Sequence, residues 1–553
     1  MLGRLLGQRV LIKKESKMRS IEYPVIRSEN DRAWRQSCGF LDITLPQFMA
    51  IQESLLLQQL ERVARCPLGK KLVGGQAPAS VEEYRRRVPL TTYKDYLPEL
   101  DPGDEAALPE KPIVWAGTSR AGGCCRHVPY TREAYQRSLD SLMSVLILAC
   151  SRQRGQSSLT EGDRVLYNVA PMPYLSGILA YGASQSFNLR SVMPPDLHDG
   201  LDFRDKMARG FEMSLRTGLD ILVAMTSVLV KVGQEFDRMS GRGGFSRHLA
   251  HPGEMMRVSR AYLWSRLENR KMLPRDLWPV KSLIGWGIDT SVYRDLVYHY
   301  WGAYPYEFHA CTEAGIIAVQ SWTRRGMTFI PHANFYEFIP ESEWLRSRED
   351  VFYEPRTVLL PGVEPGRRYE LVITGFHGMP FIRYRLGHLV RITAREDEEA
   401  GISLPQMLFE ARGDDLIDIA GFTRVSEKTV MQAIASSGTA CEDWVVRKEI
   451  RQGKPTLHLY IELNDDRPAG ELALVLHGEL LKADHGYHDL AEMMEIEPLE
   501  VTGLRQGTFN AYYQRRQSRG AALALRRPPR MNPPDEVIEE LMEAGEKQMV
   551  PVA

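Results

Sequence analysis

The chain has 553 residues, and 70 Lys and Arg nearly balance 71 Asp and Glu, so that the formal net charge is −1. This length predicts at least two domains, and contents of 43% hydrophobic and 25% charged residues are typical of a globular protein in water. Because the charge is balanced, the composition gives no reason to expect nucleic acid or a membrane surface as a partner.

Cysteine usage and the first residues indicate a cytoplasmic protein. The seven cysteines are odd in number, Cys124 and Cys125 are adjacent, and no paired spacing occurs, which predicts reduced thiols. No apolar run is long enough to span a bilayer. The basic opening residues have too short an apolar core for a signal peptide. We therefore expect residues 1–29 to form a flexible tail, with an overlong start and Met18 as the true first residue as the alternative.

Helices are predicted in the first part of the chain, from about residue 30 to residue 100. Leu45 to Arg65 carries apolar residues at helical spacing, and Ser80 has the pattern of a residue that caps a helix start. A strongly apolar helix is predicted again from Thr131 to Cys150. Such a helix is expected to pack on a sheet.

Between these helices, an apolar strand from Pro112 to Trp115 leads into a loop rich in glycine and hydroxyl residues. Gly117, Thr118 and Ser119 begin this loop, and Arg126 lies in its second half. Small residues allow backbone N–H groups to face one point, and cations stand beside them, which is how proteins hold a polyphosphate. The loop is not a P-loop, because no Lys-Ser/Thr pair follows the glycines.

Buried strands followed by small or polar residues are predicted next, with helices between them. They are Asp163–Ala170, Ile221–Met225, Ser282–Gly287 and Tyr306–Gly315. This alternation predicts the α/β fold class with a mixed or parallel sheet, whose ligands lie beyond the carboxyl ends of the strands.

Short strands dominate from Phe329 to Ile392, as in an antiparallel sheet or a small barrel. Beyond Phe409 the pattern predicts a smaller α+β unit with a helix from about Ser426. We therefore predict an N-terminal domain over residues 30–408 and a C-terminal domain over residues 409–553.

Four blocks of this sequence resemble, in order, the acyl-adenylate-forming superfamily, and specifically its branch of auxin- and jasmonate-type acyl-acid amido synthetases with their bacterial relatives. The blocks are Gly117-Thr118-Ser119 with Pro129 and Thr131; Thr312-Glu313 with Gly315; Tyr369 to Thr374 with Arg383-Tyr384-Arg385 and Gly387-His388; and Phe409 to Gly421 with Arg412. The similarity covers residues 30 to 535 at low density.

The resemblance implies a large acyl-adenylate-forming domain, with mixed sheets, helices and a small barrel, and a mobile C-terminal lid. It implies a ligase that activates a carboxylic acid with ATP and Mg²⁺ and transfers the acyl group to an amine, usually of an amino acid. An alternative product is a thioester with coenzyme A or a carrier protein, because residues 378–385 also resemble phenylacetate-type coenzyme A ligases.

Roles for individual residues follow from the same resemblance. ATP would be bound through Gly117, Thr118, Ser119, Arg126, Gly285, Gly287, Thr312, Arg385 and His388. Glu313 would bind Mg²⁺, and Thr312, Glu313, Arg412 and Arg527 would serve catalysis, with Arg412 at the domain hinge. The acyl group would contact Tyr174, Ser176, Thr226 and Ser227.

Three departures from the family pattern leave a degenerate, non-catalytic relative open as a further alternative. The first loop is about two residues longer than usual and contains Cys124 and Cys125. His388 stands where the family has Asp, and a neutral imidazole accepts only one hydrogen bond. Arg527 stands where a Lys is expected, which keeps the charge but changes its geometry.

Other interpretations of single motifs are weighed against these roles. The Gly117–Ala121 segment loosely fits a nucleophile elbow, but the delayed helix disfavours a hydrolase. The His248, His251 and Glu254 spacing suggests a metal, but Pro252 breaks the required helix, which predicts a loop. Taken alone, Thr312-Glu313 fits a helix N-cap, and Arg383 and Arg385 fit a solvated strand face.

Overall fold

The computed structural model describes residues 31–100, 105–118, 126–193, 203–240, 251–286, 290–350, 352–419, 423–451, 454–465, 467–484, 487–488, 499–521 and 526–546. The predicted N-terminal tail lies outside these ranges. The chain divides into two compact units. The larger unit comprises Met1–Thr118, His127–Leu386 and Val390–Leu408, and the smaller unit comprises Ser119–Arg126, Gly387–Leu389 and Phe409–Ala553.

The helices of the larger unit begin where the sequence supplies capping groups. Ser80 Oγ accepts the N–H of Glu83 at 3.1 Å, and Thr131 Oγ1 accepts the N–H of Ala134 at 3.1 Å, so both predicted helix starts are confirmed. The helices are α1 Asp31–Cys38, α2 Leu45–Ala64, α3 Pro67–Val73, α4 Val81–Arg87, α5 Arg132–Ala149, α6 Leu175–Ser186, α7 Phe203–Thr217, α8 Thr226–Ser240, α9 Pro252–Leu267, α10 Pro274–Leu277, α11 Thr290–Trp301 and α12 Glu341–Glu349.

One mixed sheet of eleven strands organises the larger unit, in the order β12-β13-β14-β15-β11-β10-β9-β8-β7-β5-β6. Two small two-stranded sheets, β1-β2 and β3-β4, accompany it. The strands are β1 Val114–Thr118, β2 Arg126–Tyr130, β3 Ser151–Gln153, β4 Gln156–Ser157, β5 Arg164–Asn168, β6 Arg190–Ser191, β7 Ile221–Met225, β8 Ser282–Trp286, β9 Pro305–Cys311, β10 Gly315–Gln320, β11 Met327–Phe329, β12 Asn334–Pro340, β13 Arg368–Gly375, β14 Tyr384–Ala394 and β15 Gln406–Arg412.

The predicted α/β class is confirmed by the pairing within this sheet. Strands β5, β7, β8 and β9 run parallel to one another. The pairs β9–β10, β10–β11, β11–β15 and β12–β13 are antiparallel. Strands β5, β7 and β8 are mostly buried and apolar because helices cover their faces. A core cluster beside them includes Trp278 and Trp301, whose rings stack with centroids 6.1 Å apart. The strands of residues 334–394 belong to the same sheet.

The smaller unit contains a three-stranded sheet in the order β18-β19-β20, in which β19 is antiparallel to β18 and parallel to β20. Its core packs Val445, Phe509, Tyr512 and Leu541 together. The predicted α+β character is confirmed by its elements: β16 Ile417–Ile419, β17 Thr423–Val425, α13 Glu427–Ser436, β18 Cys441–Arg451, β19 Lys454–Leu463, α14 Ala469–Ala483, β20 Leu499–Leu504, α15 Thr508–Ser518 and α16 Asp535–Glu546.

Several local predictions were wrong. Residues 126–130 form β2 rather than loop, and the single strand predicted over Tyr306–Gly315 is a hairpin of β9 and β10. Pro252 does not prevent a helix, because proline is tolerated as the first helical residue and α9 begins there. Glu254 is ion-paired with Arg216, and His248 lies outside the described residues.

Arg383 and Arg385 do not form a solvated strand face. Arg383 is buried and its guanidinium binds Glu337, and Arg385 is ion-paired with Glu370. Among the described helices, none combines the length and the hydropathy needed to cross a membrane.

Candidate active site

The parallel strands of the larger unit bring several predicted residues to one edge of the sheet. Leu222 of β7 lies opposite Leu166 of β5 and Leu283 of β8, and β8 pairs in parallel with β9. Their carboxyl ends therefore meet on the same side, where ligands of α/β sheets bind. Strand β9 extends three residues beyond the level of Trp286, the last residue of β8. The turn that follows β9 therefore lies about 10 Å beyond the end of β8.

The end of β1 is attached to this edge through the turn that follows β5. The backbone N–H of Gly117 donates to the carbonyl of Pro173 at 2.9 Å, and Gly117 and Tyr174 form a parallel bridge. This N–H is therefore already engaged and is not available to a phosphate. Thr118 ends β1, Ser119 lies outside the described residues, and Arg126 begins β2.

The turn between β9 and β10 carries Thr312 and Glu313, both partly exposed. Tyr130 Oη donates to the carbonyl of Thr312 at 2.8 Å, which fixes the turn against β2. Burial, then the charges of Cys311 and Glu313, raise the pKa of Tyr130 well above its usual value, so its hydroxyl keeps the proton it donates. The turn leads into a strand, so the helix N-cap interpretation of Thr312-Glu313 was wrong.

Close packing at Gly285 joins the ends of β7 and β8. A Cβ at Gly285 would lie 3.0 Å from Thr226 Oγ1 and 3.4 Å from Pro305 Cβ. Thr226 is fully buried, and its hydroxyl shares a 2.8 Å hydrogen bond with that of Thr290. An acyl contact by Thr226 would therefore require this buried hydroxyl to become accessible. Gly287 and the side chain of Ser227 lie outside the described part of the structure.

Tyr174 and Ser176 stand at the start of α6 beside the turn after β5. Both side chains are partly exposed, and within the described ranges Ser176 Oγ makes one long hydrogen bond of 3.5 Å, to the carbonyl of Ala170. These two residues are better placed for contact with a substrate than Thr226. Their role as acyl contacts stays a prediction.

Arg385 was predicted to contact ATP, but in the structure it contacts an acidic and a hydroxyl side chain of the protein. Its guanidinium binds Glu370 on β13, with Nη2 2.6 Å from Oε2, and Nη2 also donates to Ser347 Oγ at 3.2 Å. This ion pair neutralises the charge that was predicted to act on ATP. A contact with ATP would have to be made alongside the ion pair, and it stays a prediction.

Two polar side chains near the same edge, those of Asn168 and Lys206, were not identified from the sequence. Asn168 ends β5 and is 2% exposed, and its Nδ2 has no hydrogen-bond partner within the described residues. Lys206 on α7 is buried and donates to the carbonyl of Val169 at 2.8 Å, and burial lowers its pKa to about 8. The position of Asn168, a polar residue at the end of an apolar strand, is a sequence signal that could have indicated it. Nothing in the helical pattern around Lys206 signals its contact.

Three further predicted residues belong to the smaller unit. His388 is buried, with its ring centroid 5.3 Å from that of Phe409. Arg412 is exposed at the end of β15, and Arg527 is exposed in the segment before α16. By contrast, the nearby Arg530 is ion-paired with Asp443 at 2.9 Å. The catalytic and nucleotide-binding roles of His388, Arg412 and Arg527 stay predictions.

Comparisons with known proteins agree with this architecture. Family models match residues 41–196 as the GH3 family N-terminal domain, residues 327–410 as its central domain and residues 426–532 as its C-terminal domain. A jasmonoyl–L-amino acid synthetase GH3.5 of Oryza sativa subsp. japonica is 27% identical over 38% of each chain. An indole-3-acetic acid-amido synthetase GH3.3 of Arabidopsis thaliana is 25% identical over 37% of this chain and 34% of its own.

Solved structures show the same fold over nearly the whole chain. The AtGH3.15 acyl acid amido synthetase in complex with 2,4-DB has a TM-score of 0.65 at 17% identity, covering 94% of this chain and 97% of that one. A 2-hydroxyisobutyryl-CoA ligase has a TM-score of 0.60 at 16% identity, covering 96% and 100%. The sequence matches to curated relatives span little more than a third of those proteins. Since the three family models together cover more than half of its residues, the chain belongs to the GH3 family.

Proposed function

We propose that this protein is an ATP-dependent ligase that activates a carboxylic acid as an acyl-adenylate and transfers the acyl group to the amine of an amino acid. The curated relatives are named as amido synthetases for jasmonic acid and indole-3-acetic acid, which supports an amide product. The proposal places the enzyme in the cytoplasm, consistent with the free cysteines among the described residues.

The observation that carries the proposal is the common edge of β5, β7, β8 and β9 in the larger unit. The hydrogen bond from Gly117 to Pro173 holds the end of β1 against this edge, and the Thr312-Glu313 turn extends from it. Adenylation requires a carboxylate to attack the α-phosphate of ATP while pyrophosphate leaves. A site of this kind acts by position and by neutralising charge, and it needs no covalent nucleophile.

The donors in the Thr312-Glu313 turn fit a magnesium ion that accompanies ATP. Mg²⁺ prefers oxygen ligands and binds through one or two carboxylates together with phosphate oxygens. Glu313 supplies such a carboxylate on a turn fixed by Tyr130, and Thr312 supplies a hydroxyl next to it. The ion would neutralise the charge of the departing pyrophosphate. In this proposal Glu313 holds the ion and Thr312 orients the α-phosphate.

Other residues complete the proposal. Thr118, Ser119 and Arg126 would contact the phosphates, since the N–H of Gly117 is engaged with Pro173. Gly285 and Gly287 would leave room for adenine, and His388 would make one hydrogen bond to the ribose. Tyr174 and Ser176 would contact the acid, whereas Arg412 and Arg527 would act from the smaller unit.

A screen for pyrophosphate release tests the proposal. The protein is incubated with ATP, Mg²⁺, mixed amino acids and a panel of aromatic and fatty acids. We expect one or more acids to give ATP-dependent release, and Glu313→Gln to lower kcat by about 100-fold or more, because the ligand of the metal ion is lost. The exposed Glu364 serves as a matched control, and Glu364→Gln should keep full activity.

Two outcomes would contradict the proposal. Full activity of Glu313→Gln would remove the assignment of the metal site. Absence of ATP-dependent pyrophosphate release with every acid would favour the non-catalytic alternative that His388 and Arg527 leave open.

The second candidate is an acid–thiol ligase. It draws support from residues 378–385, which resemble coenzyme A ligases, and from the fold shared with 2-hydroxyisobutyryl-CoA ligase. Mass spectrometry of the product separates the two candidates. An acyl–amino acid conjugate supports the amido synthetase, and an acyl-coenzyme A thioester supports the second candidate.

A further inference from the structure

A second concave site lies at the opposite edge of the same parallel strands. A cavity of about 310 Å³ opens where β5 begins at Arg164 and just before β7, next to Gly218. Because β5, β7 and β8 are each five residues long, this amino edge is about 15 Å from the edge that carries the candidate active site. We call it the amino-edge cavity.

The amino-edge cavity carries excess positive charge. Arg164, Arg257 and Arg260 line it, and Asp220 is the one acidic residue among its described lining residues. Arg164 and Asp220 form a two-pronged ion pair, with Nε–Oδ2 and Nη2–Oδ1 distances of 2.7 Å. Burial alone would raise the pKa of Asp220, but the Arg164 guanidinium outweighs burial and lowers it. The Asp220 carboxylate is therefore ionised, and both of its oxygens bind the Arg164 guanidinium.

Arg257 is held in place by uncharged groups. Its Nη1 donates to the carbonyls of Leu215 at 2.8 Å and Arg216 at 2.9 Å. Burial and then the positive charges of Arg164 and Arg260 lower the pKa of Arg257, although a guanidinium stays protonated at neutral pH. Arg260 is exposed at the cavity mouth. The described lining thus holds three guanidinium groups against one carboxylate, both of whose oxygens bind Arg164.

Gly218 allows two of these guanidinium groups to approach each other. Its φ of +92° is a backbone conformation that favours glycine. A Cβ built there would lie 1.9 Å from Arg164 Nη1 and 3.0 Å from Arg257 Nη2. Both groups therefore pack directly over the glycine backbone. Bringing like charges together in this way costs free energy, which a bound anion would offset.

The remainder of the lining is apolar. Trp278 and Leu277 are buried beneath the cavity, and the indole N–H of Trp278 donates to the carbonyl of Ser214 at 3.1 Å. Met256 is 74% exposed at the mouth, and Pro279 is exposed as well. A volume of about 310 Å³ lies at the lower end of the range for small-molecule sites. The exposed apolar surface of the lining comes from Met256 and Pro279, and together with the guanidinium groups it is suited to an amphipathic ligand.

We propose that the amino-edge cavity binds a small molecule that combines one anionic group with a flat apolar body. The anionic group would lie between Arg257 and Arg260, and the apolar body would lie against Pro279 and Met256, the exposed apolar residues of the lining. The site would be separate from the adenylation site, and its occupation does not depend on the proposed activity.

Isothermal titration calorimetry of the full-length protein with 2-naphthalenesulfonate tests this proposal, because a sulfonate cannot form an acyl-adenylate. We expect saturable binding with one ligand per chain. Arg260→Glu should raise the Kd at least about tenfold, since it reverses a charge at the mouth. Arg266→Glu is the matched control, on the same exposed helix but outside the cavity lining, and it should leave the Kd within about twofold.

The uncharged analogue 2-naphthol is expected to bind at least about tenfold more weakly than the sulfonate, because it lacks the anionic group. Unchanged binding in Arg260→Glu would overturn the proposal, as would an equal loss of binding in both variants. Competition between 2-naphthalenesulfonate and ATP would also overturn it, because it would place the ligand at the other edge of the sheet.

Discussion

Arg383 is buried just before β14 at a φ of +44°, and its side chain is bound on all sides. Nε and Nη2 donate to the two carboxylate oxygens of Glu337 at 3.0 Å and 2.9 Å, while Nη1 donates to the carbonyl of Val88 at 2.6 Å. Glu337 Oε1 also accepts from Thr357 Oγ1 at 2.6 Å. Every charged atom of this buried pair is therefore hydrogen-bonded, as burial of charge requires.

Removing the negative charge of this pair is expected to destabilise the larger unit. Glu337→Gln leaves Arg383 buried without a counter-ion, and we expect the free energy of unfolding to fall by about 3 kcal/mol. Urea denaturation measures the change. Glu364→Gln is the control, since the Glu364–Arg367 pair is exposed, and it should change stability by less than about 0.5 kcal/mol. Equal stability of the two variants would contradict the assigned importance of the buried pair.

At the scale of residues, the sequence indicates which side chains are functionally or structurally important better than it indicates which groups they contact. Alternation of Arg383, Tyr384 and Arg385 predicted a strand and allowed a solvated face. It could not show that Glu337 and Glu370 lie opposite the two guanidinium groups, because those carboxylates lie on other strands, 46 and 15 residues earlier in the chain, and the pairing of the strands decides which groups meet. Likewise, the resemblance assigned phosphate contact to Gly117, whereas its N–H bonds to Pro173, a partner set by tertiary structure.

The three-stranded sheet of the smaller unit is tied together by a polar network on one face. Glu449 of β18 lies 2.9 Å from His458 of β19, measured from Oε2 to Nδ1, and 2.7 Å from Arg447. Arg451 Nη2 lies 2.7 Å from Glu449 Oε2, and its Nε lies 3.2 Å from Glu500 of β20. Glu449, His458 and Glu500 are close enough to share a metal ion, but the Arg451 guanidinium already supplies the cation that joins the two carboxylates.

This network predicts a pH-dependent stability of the sheet. Burial alone would raise the pKa of Glu449, but hydrogen bonds from His458, Arg447 and Tyr460 outweigh it and lower the pKa to about 2. A lowered folded-state pKa stabilises the fold above the unfolded-state pKa, near 4.5, and this stabilisation is lost as pH falls toward 2. We expect Glu449→Gln to lower the free energy of opening of β18–β20 by about 2 kcal/mol at neutral pH.

Hydrogen exchange of amides in β18 and β19 measures this free energy across the pH range. The difference between the unmodified chain and Glu449→Gln should shrink below about pH 4.5. Glu539→Gln, at an exposed position of α16, is the control and should leave exchange unchanged at every pH. A difference that does not depend on pH would show that Glu449 acts through packing alone.

Helices and strands could be predicted from the sequence where the spacing of apolar residues and the positions of capping residues indicated the same element. The helix starts at Ser80, Thr131 and Ser426 follow from a side-chain oxygen that caps the first turn, and all three are present. Strand existence was predictable for β5, β7 and β8 because each contains a run of apolar residues. The hairpin at Thr312 was not, because an apolar strand gives no sign of where the chain reverses, and the strand at Arg126 is too polar to be recognised.

At the scale of the whole molecule, the sequence predicts a domain boundary near residue 409, where the composition changes. The smaller unit has a core of its own, in which Leu541 of α16 packs with Val445 and Phe509. We propose that residues 409–553 fold as an autonomous domain, because this core buries apolar side chains from both sheet and helices. An expressed fragment of these residues should show one cooperative thermal transition by circular dichroism.

A variant of this fragment provides its control. Leu541→Ala creates a cavity in the core and should lower the free energy of unfolding by about 3 kcal/mol. A fragment without any cooperative transition would contradict autonomous folding and would show that the domain requires the rest of the chain. The order of the domains follows from the sequence alone, whereas the eleven-stranded sheet does not, because it joins strands from residue 164 to residue 412.

The order of strands in that sheet has a consequence for association between chains. A long exposed border strand offers unpaired backbone groups to other molecules and promotes aggregation. Here one border, β6, has only two residues. The other, β12, is capped where Phe338 and Val358 exchange backbone hydrogen bonds of 2.9 Å and 2.8 Å. Within the described residues, the sheet therefore offers little free backbone from which an intermolecular β-stack could grow.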